Sequence, residues 1–157
     1  EPLPFAQGDI PRRGHAIESR VYAEDPANSF LPSIGEIAHY ARPSGPGVRV
    51  DDGIESGSTV SPYYDPMLAK VITWGQDRAE AIRKMERALC ETVVLGVATN
   101  IGYLRDILVA PAFVAGDLST AFIEERPHLL TAHASRDRAT KILNWLADVT
   151  VNRPNGP

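Results

Sequence analysis

Arg49 stands between Val48 and Val50 in the stretch GVRVDDGIESGSTVSPYYDPMLAKVITW (47–74), and Tyr63, Tyr64, Asp65 and Lys70 follow it after a turn-rich loop. A guanidinium carried on a strand between two β-branched residues has a fixed backbone direction, so it can present two parallel N–H donors to a planar anion. Bicarbonate and carboxylates have that shape. The same spacing also describes an ordinary solvated strand arginine, whose exposed ion pairs contribute little. Tyr63, Tyr64, Asp65 and Lys70 are read as part of one pocket wall that runs straight into an apolar strand.

Other chemistries lack their residues. The sequence has no G-x-x-x-x-G-K-[ST], no G-x-G-x-x-G, no H-E-x-x-H, no C-x-x-C and no G-x-S-x-G, which removes the common phosphate loops, the zinc hydrolase helix, the redox dithiol and the serine hydrolase elbow. His15, His39, His128 and His133 share no ligand spacing on any one element, so no metal site is expected. Glu18, Glu24 and Asp25 could serve as acid and base, but carboxylates beside a strand end are more often turn caps or solvated charges. Cys90 is the only cysteine, which rules out an internal disulfide and fits a buried thiol in a helix. The compartment expected from this is a reducing one, cytoplasm or mitochondrial matrix.

Sixteen Lys and Arg against twenty Asp and Glu give a net charge of -4 with no basic run, which argues against nucleic acid or an anionic membrane as partner. No apolar segment approaches the roughly 20 residues that a membrane-spanning helix needs, and no secretory leader pattern opens the chain. At 157 residues the chain can bury one core and not two comfortable ones. It starts at Glu1 without Met and ends in the turn-like NRPNGP, so both ends read as cut from something longer.

The elements that must position Arg49 follow from periodicity. Residues 1–13, with three prolines, read as a connector. Residues 16–23 alternate with a period of two and predict a strand, 24–33 a loop broken by prolines, 34–40 a strand and 48–51 a short strand. Residues 67–74 are almost continuously apolar, as expected in the middle of a sheet. At Gly75 the period changes: Asp77 with Glu80 forms a capping-box pattern, and Ile82, Met85 and Leu89 then fall on one helix face. Arg83, Lys84, Glu86 and Arg87 make the opposite face, either solvated or a partner surface. Residues 93–97 suit a further strand. Thr99 or Asn100 caps a second helix with Ile101, Leu104, Ile107 and Leu108 inside, which Pro111 ends. Phe113, Val114 and Phe122 are expected to pack residues 112–123 back on the core, and 136–149 to form an amphipathic helix bearing Ala139, Ile142, Leu143 and Leu146.

Five blocks together carry a resemblance: GHAIESRVYAEDP (14–26), FLPSIGEI (30–37), GVRVDDGI (47–54), YYDPMLAKVITWG (63–75) and GVATNIGYL (96–104). In this order they closely resemble the C-terminal domain of biotin carboxylase. The resemblance implies an α+β fold, a twisted antiparallel sheet covered by helices, at 14–123. It further implies a connector from a missing ATP-grasp domain at 1–13 and a linker with a C-terminal helical extension at 124–157. The tail RDRATKILNWLADVTVN (136–152) resembles the connector of pyruvate carboxylase, and the body equally resembles the biotin-bearing subunits of propionyl-CoA and methylcrotonyl-CoA carboxylases. The tail favours the former. Departures are Ser19, where related sequences often carry Cys, and Arg153, where the pyruvate carboxylase connector usually has Gly.

Carried over from the family, Arg49 is the arginine that contacts bicarbonate and the biotin ureido oxygen while ATP activates bicarbonate and the carboxyl group passes to a ureido nitrogen of biotin. Tyr63, Tyr64, Asp65 and Lys70 match the family block without a defined catalytic role, and are expected to brace the pocket and the sheet. The implied cofactors are biotin, with ATP and Mg (or Mn) bound by the missing upstream domain. The implied partners are the biotin carboxyl carrier domain, the ATP-grasp domain and a second copy of the chain. The alternative is a non-catalytic dimerisation and docking domain that works through the charged face at 83–87.

Overall fold

In the computed structural model, residues 2–130 are described, together with Ile142, Leu143 and Leu146. The central sheet has three antiparallel strands, β1 (His15–Tyr22), β8 (Met67–Gly75) and β6 (Val48–Asp52), in the order β1-β8-β6. The apolar run at 67–75 therefore takes the middle position that its composition calls for. Short pairs surround it. β2 (Glu24–Asp25) pairs with β3 (Leu31–Pro32), β4 (Gly35–Glu36) with β7 (Thr59–Val60), and β5 (His39–Ala41) with β9 (Val93–Leu95). Two expectations change here. The 24–33 loop closes as a small hairpin, because its prolines sit in a 3-10 turn (Pro26–Asn28) and at a strand end where no ladder N–H is needed. The single strand expected at 34–40 is broken at Ile37 and Ala38, and its halves pair with different partners.

One face of the central sheet is buried under α1 (Arg78–Glu91). Ile17, Ser19 and Val21 of β1 and Val71 and Thr73 of β8 face it, and Ala81, Ile82, Met85, Ala88 and Leu89 meet them from the helix. The Thr73 hydroxyl donates to the Ala81 carbonyl at 3.0 Å, which satisfies a polar group inside this core. Ser19 is buried on the same face, where a small side chain fits.

Asp77 caps α1 by accepting from the Glu80 N–H at 2.8 Å, while the Glu80 carboxylate accepts from the Gln76 N–H at 2.6 Å, one residue earlier than a strict capping box. That bond, followed by Lys84, holds the Glu80 carboxyl below the usual range. Asp77→Ala is expected to lower stability by about 1 kcal/mol, checked by urea denaturation of the chain.

α2 (Ile101–Val109) and α3 (Pro111–Ala115) close one end, with Ile101 and Leu108 buried and Leu104 and Ile107 partly so. Pro111 both ends α2 and starts α3. Phe113 and Phe122 pack edge to face with ring centres 6.2 Å apart, but Val114 is exposed, so it does not join the core as expected. Arg78 ties three elements together: it meets His15 Nε2 at 3.1 Å, donates to the Phe113 carbonyl and lies over the Phe113 ring. The helix expected over 136–149 lies outside the described residues except for Ile142, Leu143 and Leu146, which are helical and exposed.

Candidate functional site

The open face of the sheet is built by the same alternation that builds the core. With Val48 and Val50 directed inward on β6, Arg49 and Asp51 project outward. Antiparallel register places Arg49 opposite Ile72 and Asp51 opposite Lys70, and on the far side of β8 the partners are Glu18 and Arg20. Three cations, Arg20, Lys70 and Arg49, thus share one face with two carboxylates, Glu18 and Asp51. Gly47 sets the entry to β6: its carbonyl accepts from the Trp74 N–H at 2.8 Å, its φ is +75°, and a Cβ there would lie 2.6 Å from the Trp74 carbonyl oxygen.

Arg49 is 75% exposed, and Asp51 grips it with two bonds, Nε to Oδ1 at 2.8 Å and Nη2 to Oδ2 at 2.9 Å. The hydrogen bond from Arg49 holds the Asp51 carboxyl below the usual range, and Lys70 adds to the effect. Arg20 bonds Glu18 at 3.3 Å in the neighbouring row. An open groove beside the end of β6 is lined by Asp51, Asp52, Gly53 and the Met67–Lys70 stretch of β8. Under it, Tyr40 donates to Asp52 at 2.7 Å, and burial followed by this bond pushes the phenol well above its usual range.

Arg49 therefore lies on an exposed sheet face, not in a closed pocket wall. Among the residues expected to brace it, Lys70 faces Asp51, and Asp65 accepts from the Met67 N–H at 2.8 Å to start β8. Tyr63 and Tyr64 are 88% and 82% exposed and brace nothing among the described residues, because they lie in the Pro62–Tyr63 turn and the bend after it, ahead of the sheet. Replacing both by Ser should change stability by less than about 0.5 kcal/mol, read from urea denaturation. Asp51 escaped the sequence reading. Its signal was an opposite charge two residues from Arg49, the spacing that shares a strand face.

The remaining candidates have structural partners. Asp25 accepts from the Ala27 N–H at 3.0 Å as a turn cap. Glu24 is half-buried, and burial, followed by the charge of Asp65, raises its carboxyl above the usual range. On α1, Lys84 donates to the Trp74 carbonyl at 3.0 Å and pairs with Glu80, and Arg87 pairs with Glu91 and reaches the Ser44 carbonyl at 3.5 Å. Half of the charged helix face thus engages backbone, Lys84 at the end of β8 and Arg87 in the turn before β6. Cys90 is half-buried, and the expected thiol burial is only partial. His133 and Arg153 lie outside the described residues. Among the described residues, no three His, Cys, Asp or Glu side chains cluster as metal ligands, and no helix is long and apolar enough to cross a membrane.

Known proteins share both this sequence and this fold. The family model for the biotin carboxylase C-terminal domain matches residues 18–125. The mitochondrial propionyl-CoA carboxylase alpha chain of Mus musculus is 53% identical over 126 residues, which are 79% of this chain and 17% of that one. The complete multifunctional pyruvate carboxylase of Rhizobium etli superposes with a TM-score of 0.82 at 44% identity, over 94% of this chain and 14% of that one. The biotin carboxylase domain dimer of the Hydrogenobacter thermophilus 2-oxoglutarate carboxylase, in complex with ADP, MgADP and bicarbonate, gives 0.82 at 38% identity, over 86% of this chain and 30% of that one. The chain spans less than a third of each of these relatives. With the antiparallel sheet, the helices packed on its inner face and the matched residues in agreement, the chain belongs to the biotin carboxylase C-terminal domain family.

Proposed function

We propose that this chain is one part of a biotin carboxylase that uses ATP and bicarbonate to carboxylate biotin, inside a longer pyruvate or acyl-CoA carboxylase. The observation that supports it best is Arg49: a forked cation fixed on an open sheet face, with a planar carboxylate already seated on one edge of it. The other edge has the geometry that a second planar oxyanion needs. In this reading Arg49 holds bicarbonate and then faces the negative charge that develops at the biotin ureido group, where a preplaced cation costs no reorganisation. Biotin, when bound, supplies the ureido nitrogen that takes the carboxyl group. ATP and its Mg (or Mn) ion belong to an ATP-grasp domain outside this chain, at the N-terminal side of the 1–13 connector. The acceptor, pyruvate or an acyl-CoA, is chosen by a carboxyltransferase elsewhere in the protein. Cytoplasm or mitochondrial matrix is the compartment, in keeping with the mitochondrial relative.

The docking alternative keeps less support, since Lys84 and Arg87 are engaged with the protein's own backbone. A second copy and the biotin carboxyl carrier domain remain the expected partners. The test is to capture the native polypeptide with an antibody against residues 14–123, weigh it, and supply ATP, labelled bicarbonate and free biotin. A polypeptide several times heavier than 17 kDa that labels biotin only with ATP is expected. A native product near 17 kDa, without that activity, overturns the catalytic reading.

A further inference from the structure

We infer that Asp51 is a positioning residue for Arg49, holding one edge of the guanidinium so that the other is presented, already oriented, as the anion-binding edge. The inference rests on the reading of Arg49 given above. An arginine offers five N–H donors in one plane, in two forks. Asp51 takes the side fork, Nε and one proton of Nη2. Nη1 and the second proton of Nη2 form the end fork, and among the described residues nothing hydrogen-bonds to Nη1. A planar anion can therefore add to Arg49 without displacing Asp51.

At 75% exposure the Arg49 side chain has little packing to restrict it, and an unheld arginine loses much rotamer freedom when it binds. Asp51 removes that freedom beforehand, because both residues leave the same face of β6 and the carboxylate matches the fork in shape. The cost of an anion so close to an incoming anion is offset by Lys70, directly opposite Asp51 on β8. Arg49, Asp51 and Lys70 together leave one net positive charge at this spot. Arg20 and Glu18, one strand further, cancel each other.

The experiment compares Asp51→Ala, Asp51→Glu and Arg49→Ala in the complete carboxylase that carries this chain. At limiting bicarbonate the rate of biotin carboxylation should fall about three- to ten-fold in Asp51→Ala, carried by a higher bicarbonate KM. Asp51→Glu, still able to reach the fork, should keep more than half of the wild-type rate. A readout apart from activity is the phenylglyoxal modification of Arg49, followed by peptide mass spectrometry: it should quicken several-fold in Asp51→Ala and stay near wild type in Asp51→Glu. A wild-type rate in Asp51→Ala overturns the inference, and so does a lower bicarbonate KM at full rate, which would make Asp51 a competitor of the anion. A loss shared by the ATP KM and the thermal midpoint also overturns it, because Asp51 would then be structural. If Arg49→Ala is impaired and Asp51→Ala is not, only this inference fails; if Arg49→Ala keeps full rate, the reading of Arg49 fails first.

Discussion

Arg49→Ala in the complete carboxylase should depress carboxyl transfer to biotin on the order of 10²-fold, the loss typical of removing one preplaced donor from a site where negative charge develops. The strand fixes where the guanidinium starts: Val48 and Val50 anchor the inner face, and Ile72 lies opposite Arg49 on the middle strand. Shortening the side chain leaves that scaffold intact, since Arg49 contributes little buried surface at 75% exposure, so the ATP KM should stay within about twofold. Arg49→Lys separates charge from shape. An ammonium keeps the charge but not the planar fork, and no single point charge can hold two oxygens of one anion in parallel. Lysine should therefore recover less than about a tenth of the lost rate. Full recovery by lysine would make the role one of charge alone, and an unchanged rate in Arg49→Ala would take Arg49 out of the reaction.

Arg49 could be found in the sequence because its neighbours constrain it. A lone basic residue between two valines leaves only one arrangement in which both valines turn from solvent, and the chain adopts it, with Val48 and Val50 partly buried and Arg49 exposed. The helix at 78–91 was legible for a similar reason: the 3.6 period of Ile82, Met85 and Leu89 and the Asp77 cap both point to one answer. What could not be read was pairing between distant segments. Residues 34–40 have strand composition, yet their first half pairs with β7 and their second with β9, a split that depends on where two other segments come to rest. Tyr63 and Tyr64 misled in the opposite direction. Two aromatic residues ahead of a buried strand suggest packing, but Tyr63 lies in the Pro62–Tyr63 turn and Tyr64 in the bend after it, both open to solvent, and direction is a property of the turn and not of the rings. The partnership of Arg49 and Asp51 was readable from period-two spacing alone.

Asn100 shows the same limit and gives the largest expected effect on stability. By sequence it is, with Thr99, one of two candidate helix caps, and it does stand at the start of α2, yet its side chain makes no cap bond. It is buried, and it reaches across to the outer edge of β1. Its Oδ1 accepts from the Tyr22 N–H at 2.9 Å, its Nδ2 donates to the Arg20 carbonyl at 3.1 Å, and its own backbone N–H donates to the Tyr22 carbonyl at 3.2 Å. Alternate residues of an edge strand turn these groups away from the sheet, where they need partners or water. One asparagine thus stands in for a missing neighbouring strand and docks α2 on the sheet. Asn100→Ala strands a donor and an acceptor in a part-buried place, and should cost about 3 kcal/mol, or roughly 10 °C in Tm. Asn100→Asp decides between the two roles. Aspartate caps helices as well as asparagine does, so a cap would survive the change. A bridge would not, because a carboxylate has no N–H to give and would face the Arg20 carbonyl with like partial charge. Thermal denaturation should place Asn100→Asp at least as low as Asn100→Ala; a wild-type Tm for the aspartate variant would restore the cap and remove the bridge.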